Sequence, residues 1–157
     1  MFCGYDFQFY FKLHTAKHLI HIHHPTKRNG DNSMTKPIIL LVEDLDDNAT
    51  LVRKVLTARG YEVLWANTGQ KGLDMASEHP PGLILLDLGL PDIDGQTLVR
   101  FFRNMPELDD VPIIVVTAWP EETAKNMVTA YGCNGYIGKP VDIHLLSDTV
   151  NEYFKTA

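Results

Sequence analysis

From Pro37 onward the chain alternates between two apolar patterns. Short runs rich in β-branched residues and leucine read as strands, IILLV (38–42) as a fully buried one, then YEVLWA (61–66), LILLD (83–87), PIIVVT (112–117) and a short GYIG (135–138). Between them apolar residues recur at helical spacing. Leu51, Val52, Val55 and Leu56 predict one helix face, with Asp46 or Asp47 as N-cap and Gly60 as the stop. Thr68 to His79 predicts a weaker helix with Leu73 and Ala76 inward and Pro80-Pro81 beyond its end. Asp94 caps a third helix, whose Leu98, Phe101, Phe102 and Met105 fall on one stripe. Pro120 suits the first turn of a fourth, with Ala124, Met127, Val128 and Tyr131 inward before Gly132. Asp142 caps the last, with Leu146, Val150 and Tyr153 inward. These stripes read as core packing.

Strands alternating with helices predict an α/β fold, a doubly wound parallel five-stranded sheet covered on both faces. Ligands of such folds sit outside the carboxyl ends of the strands. The residues at those ends are Glu43-Asp44, Asp87, Thr117 and Lys139-Pro140. Three carboxylates packed together repel, and a hard divalent cation relieves that repulsion. Mg²⁺ suits the donor set, because it takes a few carboxylate oxygens, keeps waters and favours phosphoryl oxygens. Lys139 adds a positive charge and Thr117 a hydroxyl that can donate to an oxyanion. The set suits a carboxylate nucleophile that accepts a phosphoryl group. Within LILLDLGLPDIDG (83–95), Asp94 reads as a helix cap and Asp92 as a solvated loop acid, which leaves Asp87 for chemistry. Asp46 and Asp47 are assigned to capping and solvation, not to metal.

Four motifs in order, LLVEDLDDN, LILLDLGLPDIDG, IIVVTAW and GYIGKP, resemble those of a response-regulator receiver domain of two-component signalling. The resemblance spans residues 37 to about 155 and implies a (βα)5 flavodoxin-like fold. It implies that Asp87 is the phosphoacceptor. Asp44 would be a direct Mg²⁺ ligand, Glu43 would act through water, and the Gly89 backbone carbonyl would be a further metal contact. Thr117 would bond a phosphoryl oxygen and shift on activation, Lys139 would pair with the phosphoryl group, and Tyr136 would be an aromatic switch that follows Thr117 inward. Lys139-Pro140 matches the family's cis peptide bond. Two variable positions bear on phosphoryl lifetime: Gly89 has no side chain beside the phosphate, and Trp119 is expected either to shield it or to form part of a partner surface. The expected partners are a histidine kinase or histidine phosphotransfer protein as donor. A downstream protein would bind on the helix after strand four, strand five and the last helix. The chain would be a phosphoprotein of a phosphorelay that takes phosphoryl and slowly loses it to water, not an enzyme acting on other molecules.

Composition narrows the alternatives. The 157 residues carry a net charge of −6, which disfavours direct DNA binding. The two cysteines, Cys3 and Cys133, form no C-x-x-C motif, which fits a reducing compartment. No apolar run spans a membrane, and a cytoplasmic protein is expected. Residues 1–34 carry a net +2 and five of the seven histidines, His14, His18, His21, His23 and His24. They read as a disordered or non-native extension in preference to a metal site, because no Cys, Asp or Glu closes a ligand set around the histidines. Residues 35–157 are then the receiver domain. Nothing beyond it reads as an output domain, so a stand-alone receiver is expected. One rival reading is a pseudo-receiver or structural interaction module, which the intact strand-end set disfavours. A haloacid dehalogenase-type phosphatase needs a second acid two residues after the nucleophile, where Gly89 stands. A nucleotide-binding protein would need a G-x-G-x-x-G after the first strand.

Overall fold

The computed structural model describes residues 37–155. The reading of residues 1–34, with their histidines, falls outside the described residues, as does the side chain of Met127. The elements in chain order are β1 (Ile38–Val42), α1 (Asp46–Thr57), β2 (Glu62–Ala66), α2 (Gly69–Glu78), β3 (Leu83–Asp87) and α3 (Gly95–Arg103). A 3-10 turn (Pro106–Leu108) leads to β4 (Ile113–Thr117), α4 (Glu121–Tyr131), β5 (Gly135–Gly138) and α5 (Ile143–Lys155). All strand pairs are parallel, in the order β2-β1-β3-β4-β5. This is the doubly wound order in which the winding reverses between β1 and β3, opening a crevice at their carboxyl ends.

The central strands β1, β3 and β4 read as unbroken apolar runs because both of their faces are covered, whereas the edge strands β2 and β5 are partly exposed. Leu40, Val42, Ile84, Leu86, Ile113 and Val115 join one core with Leu98 and Phe102 of α3. Ile39, Leu41, Leu83, Leu85, Ile114 and Val116 join the opposite core with Val52 of α1 and Leu146 and Val150 of α5. Side chains alternate between faces, so Glu43 and Asp87 continue the parity of the α1/α5 face, whereas Thr117 continues that of the opposite face. The register sets Asp87 beside Val116 and Thr117 beside Gly138.

Local chemistry accounts for most boundaries. Thr68 and Asp94 cap their helices by accepting from the Lys71 and Thr97 amides, and Asp142 accepts from those of His144 and Leu145. Gly132 ends α4 at φ 76°. Gly95 is required where α3 begins, because a Cβ there would lie 2.9 Å from the Leu88 Cα. Buried Cys133 follows the end of α4 as a small core residue, and burial pushes its thiol up to about 11.

Several sequence expectations are corrected. Leu51 is 43% exposed, and the buried face of α1 is Ala49, Val52 and Leu56. The N-cap of α1 is Leu45, with no side-chain bond; Asp46 and Asp47 sit in the first turn, where the helix dipole favours them. Pro120 is the N-cap of α4, one residue outside the helix. Met105 lies beyond α3, and Val99 takes a buried place on it. Asp92 is exposed but not merely solvated. Its two carboxylate oxygens accept the Gly69 and Gln70 amides, both at 2.9 Å, tying the loop after β3 to the start of α2. Burial raises its carboxyl, but these amides outweigh that and hold it below the usual range.

Candidate functional site

Glu43 stands one residue past the end of β1, and Asp87 is the last residue of β3. The reversal of winding between these neighbouring strands places both carboxylates in the crevice. Both are buried, at 2% and 7% exposure, and Asp44 beside them is half-buried. One carboxylate oxygen from each of the three acids lies within 4.8 Å of the other two.

Lys139 arrives from the end of β5. Its main-chain amide donates to the Thr117 carbonyl at 2.8 Å, extending the β4–β5 ladder past Gly138. Lys139-Pro140 is cis, as its sequence suggests. The ammonium bridges Asp87 Oδ2 at 2.7 Å and Glu43 Oε2 at 2.8 Å. Burial disfavours the ammonium, but the bonds to Asp87 and Glu43 outweigh it and hold the Lys139 pKa above its ordinary value. The remaining oxygens are partly engaged. Glu43 Oε1 accepts from the Leu45 amide at 3.2 Å and Asn48 Nδ2 at 3.3 Å, and Asp87 Oδ1 accepts from the Gly89 amide at 3.0 Å. Among the described residues no hydrogen-bond donor reaches the Asp44 carboxylate.

Lys139 pairs with two of the three carboxylates, so the cluster sets three carboxylates against one ammonium. Opposite ligands of a bound Mg²⁺ stand roughly 4.2 Å apart, twice the metal–oxygen distance. A cluster within 4.8 Å, with hard oxygen donors and excess negative charge, fits such a cation.

Thr117, Trp119 and Gly89 lie at the same edge of the sheet, whereas Tyr136 stands opposite Val115 in mid-strand. Thr117 is buried, and its hydroxyl accepts the Trp119 amide at 3.1 Å. Trp119 is 41% exposed in the loop after β4. Gly89 is exposed, and a Cβ there would sit 3.5 Å from Asp87 Oδ1, so its lack of a side chain leaves that flank open. Tyr136 packs against the α3/α4 core with its hydroxyl donating to Glu121 Oε1 at 3.0 Å. Glu121 also pairs with Lys125 at 2.6 Å.

Three residues escaped the sequence reading. Asn48 supports Glu43 from the first turn of α1, Trp65 donates its indole N–H to the Glu43 carbonyl at 2.8 Å, and Glu121 receives Tyr136. For Trp65 a signal existed, since a tryptophan in a strand needs a partner for its N–H.

A profile of the family described as the response regulator receiver domain matches residues 39–151. The chain is 35% identical over 124 residues to the polar-differentiation response regulator DivK of Brucella ovis, covering 79% of this chain and 100% of that protein. The fold matches the chemotaxis response regulator CheY4 of Vibrio cholerae with a TM-score of 0.72 at 26% identity, over 76% of this chain and 99% of that one. It also matches the receiver domain of the sensor histidine kinase PA1611 from Pseudomonas aeruginosa PAO1, solved with a magnesium ion coordinated in the active site cleft. There the TM-score is 0.70 at 29% identity, over 76% of this chain and 98% of that one. Among the described residues no helix is long and apolar enough to cross a membrane.

Proposed function

Because the chain belongs to the response-regulator receiver family, we propose that it takes a phosphoryl group from a phosphohistidine onto Asp87 and signals by phosphorylation-dependent protein binding. The observation that carries this reading is the buried Lys139–Asp87–Glu43 ion-paired set with Asp44 left without a donor. It combines a nucleophilic carboxylate, a cation in contact with it and negative charge that calls for a metal.

An Asp87 carboxylate oxygen attacks phosphorus and forms the P–O bond. The donor's P–N bond breaks, and its electron pair returns to the imidazole. Asp44, Asp87 and the Gly89 carbonyl would hold Mg²⁺, with Glu43 acting through water; the metal would neutralise charge on the transferred oxygens. The PA1611 receiver domain, with its coordinated magnesium, supports that assignment. Lys139 already touches Asp87 Oδ2, which puts its ammonium within reach of a phosphoryl oxygen on that side chain. Thr117 would exchange its bond from the Trp119 amide for a bond to the phosphoryl group, and Tyr136 would leave Glu121 to follow it inward. Water later attacks phosphorus, releasing phosphate and restoring the carboxylate, and no other catalysis is assigned to the chain. The open flank at Gly89 and the indole of Trp119 would set how fast that happens.

Leu45, Trp119, Ile143 and Leu145 are exposed apolar residues on or next to the loops that follow β1, β4 and β5. They rim the site and suit the docking of a histidine kinase or phosphotransfer protein. The α4–β5–α5 face, which carries Glu121 and Tyr136, would present the altered surface to a downstream protein. Residues 35–157 are the unit assigned to this work, and the cytoplasm is its proposed location.

Intact mass after incubation with acetyl phosphate and Mg²⁺ tests the reading. The wild type should gain one phosphoryl group, and Asp87→Asn should gain none. Absence of an adduct on the wild type, or its survival in Asp87→Asn, contradicts it.

A further inference from the structure

We infer that Trp65 is a positioning residue for the acidic pair: its indole N–H fixes the main chain that carries Glu43 and Asp44. This rests on the reading of the three-acid cluster as a Mg²⁺ centre.

The ladder between β1 and β2 runs to the Val42–Ala66 pair, and the Glu43 amide extends it by donating to the Ala66 carbonyl at 3.0 Å. Among the described residues the Glu43 carbonyl has no main-chain donor. Trp65 supplies one, 2.8 Å away and 22 residues along the chain. Its half-buried ring packs against the α1/α5 core, and the Arg53 guanidinium sits over it at 5.5 Å from the centroid. The indole is thus held on two sides while its N–H points at the peptide between Glu43 and Asp44.

That peptide matters more for Asp44 than for Glu43. The Glu43 carboxylate is located independently by Leu45, Asn48 and Lys139. Among the described residues the Asp44 carboxylate has no such partner, so its placement follows the main chain before it. Among the described residues the Trp65 bond is the side-chain contact that holds the Glu43 carbonyl. Phenylalanine at this position keeps an aromatic ring over the same core but leaves the carbonyl to water.

Calorimetric Mg²⁺ titration of the full chain and of Trp65→Phe, with thermal melts in chelator as the fold control, tests this. A second variant, Trp119→Phe, leaves Trp65 as the sole tryptophan, and its emission is followed through the same titration. The expected results are about 5-fold weaker Mg²⁺ binding in Trp65→Phe, the scale of one lost neutral hydrogen bond, and a Trp65 emission change whose midpoint matches the calorimetric one. Equal affinity in the wild type and a folded Trp65→Phe overturns the role of Trp65 and leaves the metal centre standing. If Trp65→Phe does not fold, emission that ignores saturating Mg²⁺ overturns it instead. A wild type that binds no Mg²⁺ overturns the metal reading, and this inference with it.

Discussion

At the amino ends of the strands, Arg103 donates to the carbonyls of Leu108, Val111 and Gly132 and to Asn134 Oδ1, while Asn134 Oδ1 also accepts the Ile113 amide and Tyr153 bonds the Asn134 carbonyl. At the carboxyl ends, Lys139 bridges two carboxylates, a third has no donor among the described residues, and Thr117 holds the loop beside it. The first cluster pairs charge mainly with backbone carbonyls and closes on itself. The second leaves negative charge over, next to an open flank at Gly89 and a rim of exposed apolar residues. One end of the sheet is built for stability. The other keeps an electrostatic imbalance that a cation and a phosphoryl group can relieve, and the proposed function rests on that imbalance.

Substitutions that cut one end and spare the other sharpen this contrast. The largest effect is expected for Arg103→Ala, which strips donors from several partly buried carbonyls at once. A loss of about 3 kcal/mol is expected, seen as a fall in Tm of roughly 10 °C, with Mg²⁺ affinity of the folded fraction unchanged. Lys139→Met comes next, because it leaves buried carboxylates without their cation; the cost in chelator should be about 2 kcal/mol. Its pH signature has a definite sign. The folded pKa of Lys139 is raised, so its contribution is complete below the unfolded lysine value and disappears as pH rises through the folded one. Wild type should therefore lose more stability than Lys139→Met in the alkaline range, as followed by denaturant unfolding. The smallest effect belongs to Asp92→Ala, about 1 kcal/mol for a lost helix-start anchor. The Asp92 carboxyl is held low, so that increment is present above the ordinary aspartate range and fades as pH falls through the folded value. Phosphoryl uptake by Asp92→Ala should match the wild type.

Much of the fold was legible because its central strands β1, β3 and β4 are buried on both faces, which writes them as unbroken apolar runs. The placement of the candidate site was legible because α/β topology fixes which ends face the crevice, so the residues at the ends of β1, β3, β4 and β5 could be read off directly. What escaped depended on contacts across the fold. Adjacent Leu51 and Val52 are both apolar, and only the placement of α1 on the sheet decides that Val52 turns inward. Asp92 looks solvated until α2 is seen to start beside it. Trp65 meets Glu43 across 22 residues, and Arg103 reads as a surface charge until the loops before β4 and β5 converge on it.

The claim that excess negative charge at the carboxyl edge makes a cation site is tested most directly by calorimetric Mg²⁺ titration of the wild type, Asp44→Asn and Asp92→Asn. Both substitutions remove one carboxylate from a loop that follows a strand end, one inside the cluster and one outside it. One Mg²⁺ per chain is expected for the wild type, with binding unchanged in Asp92→Asn and at least about 10-fold weaker in Asp44→Asn. Equal affinities in the two variants, or none in the wild type, would contradict it.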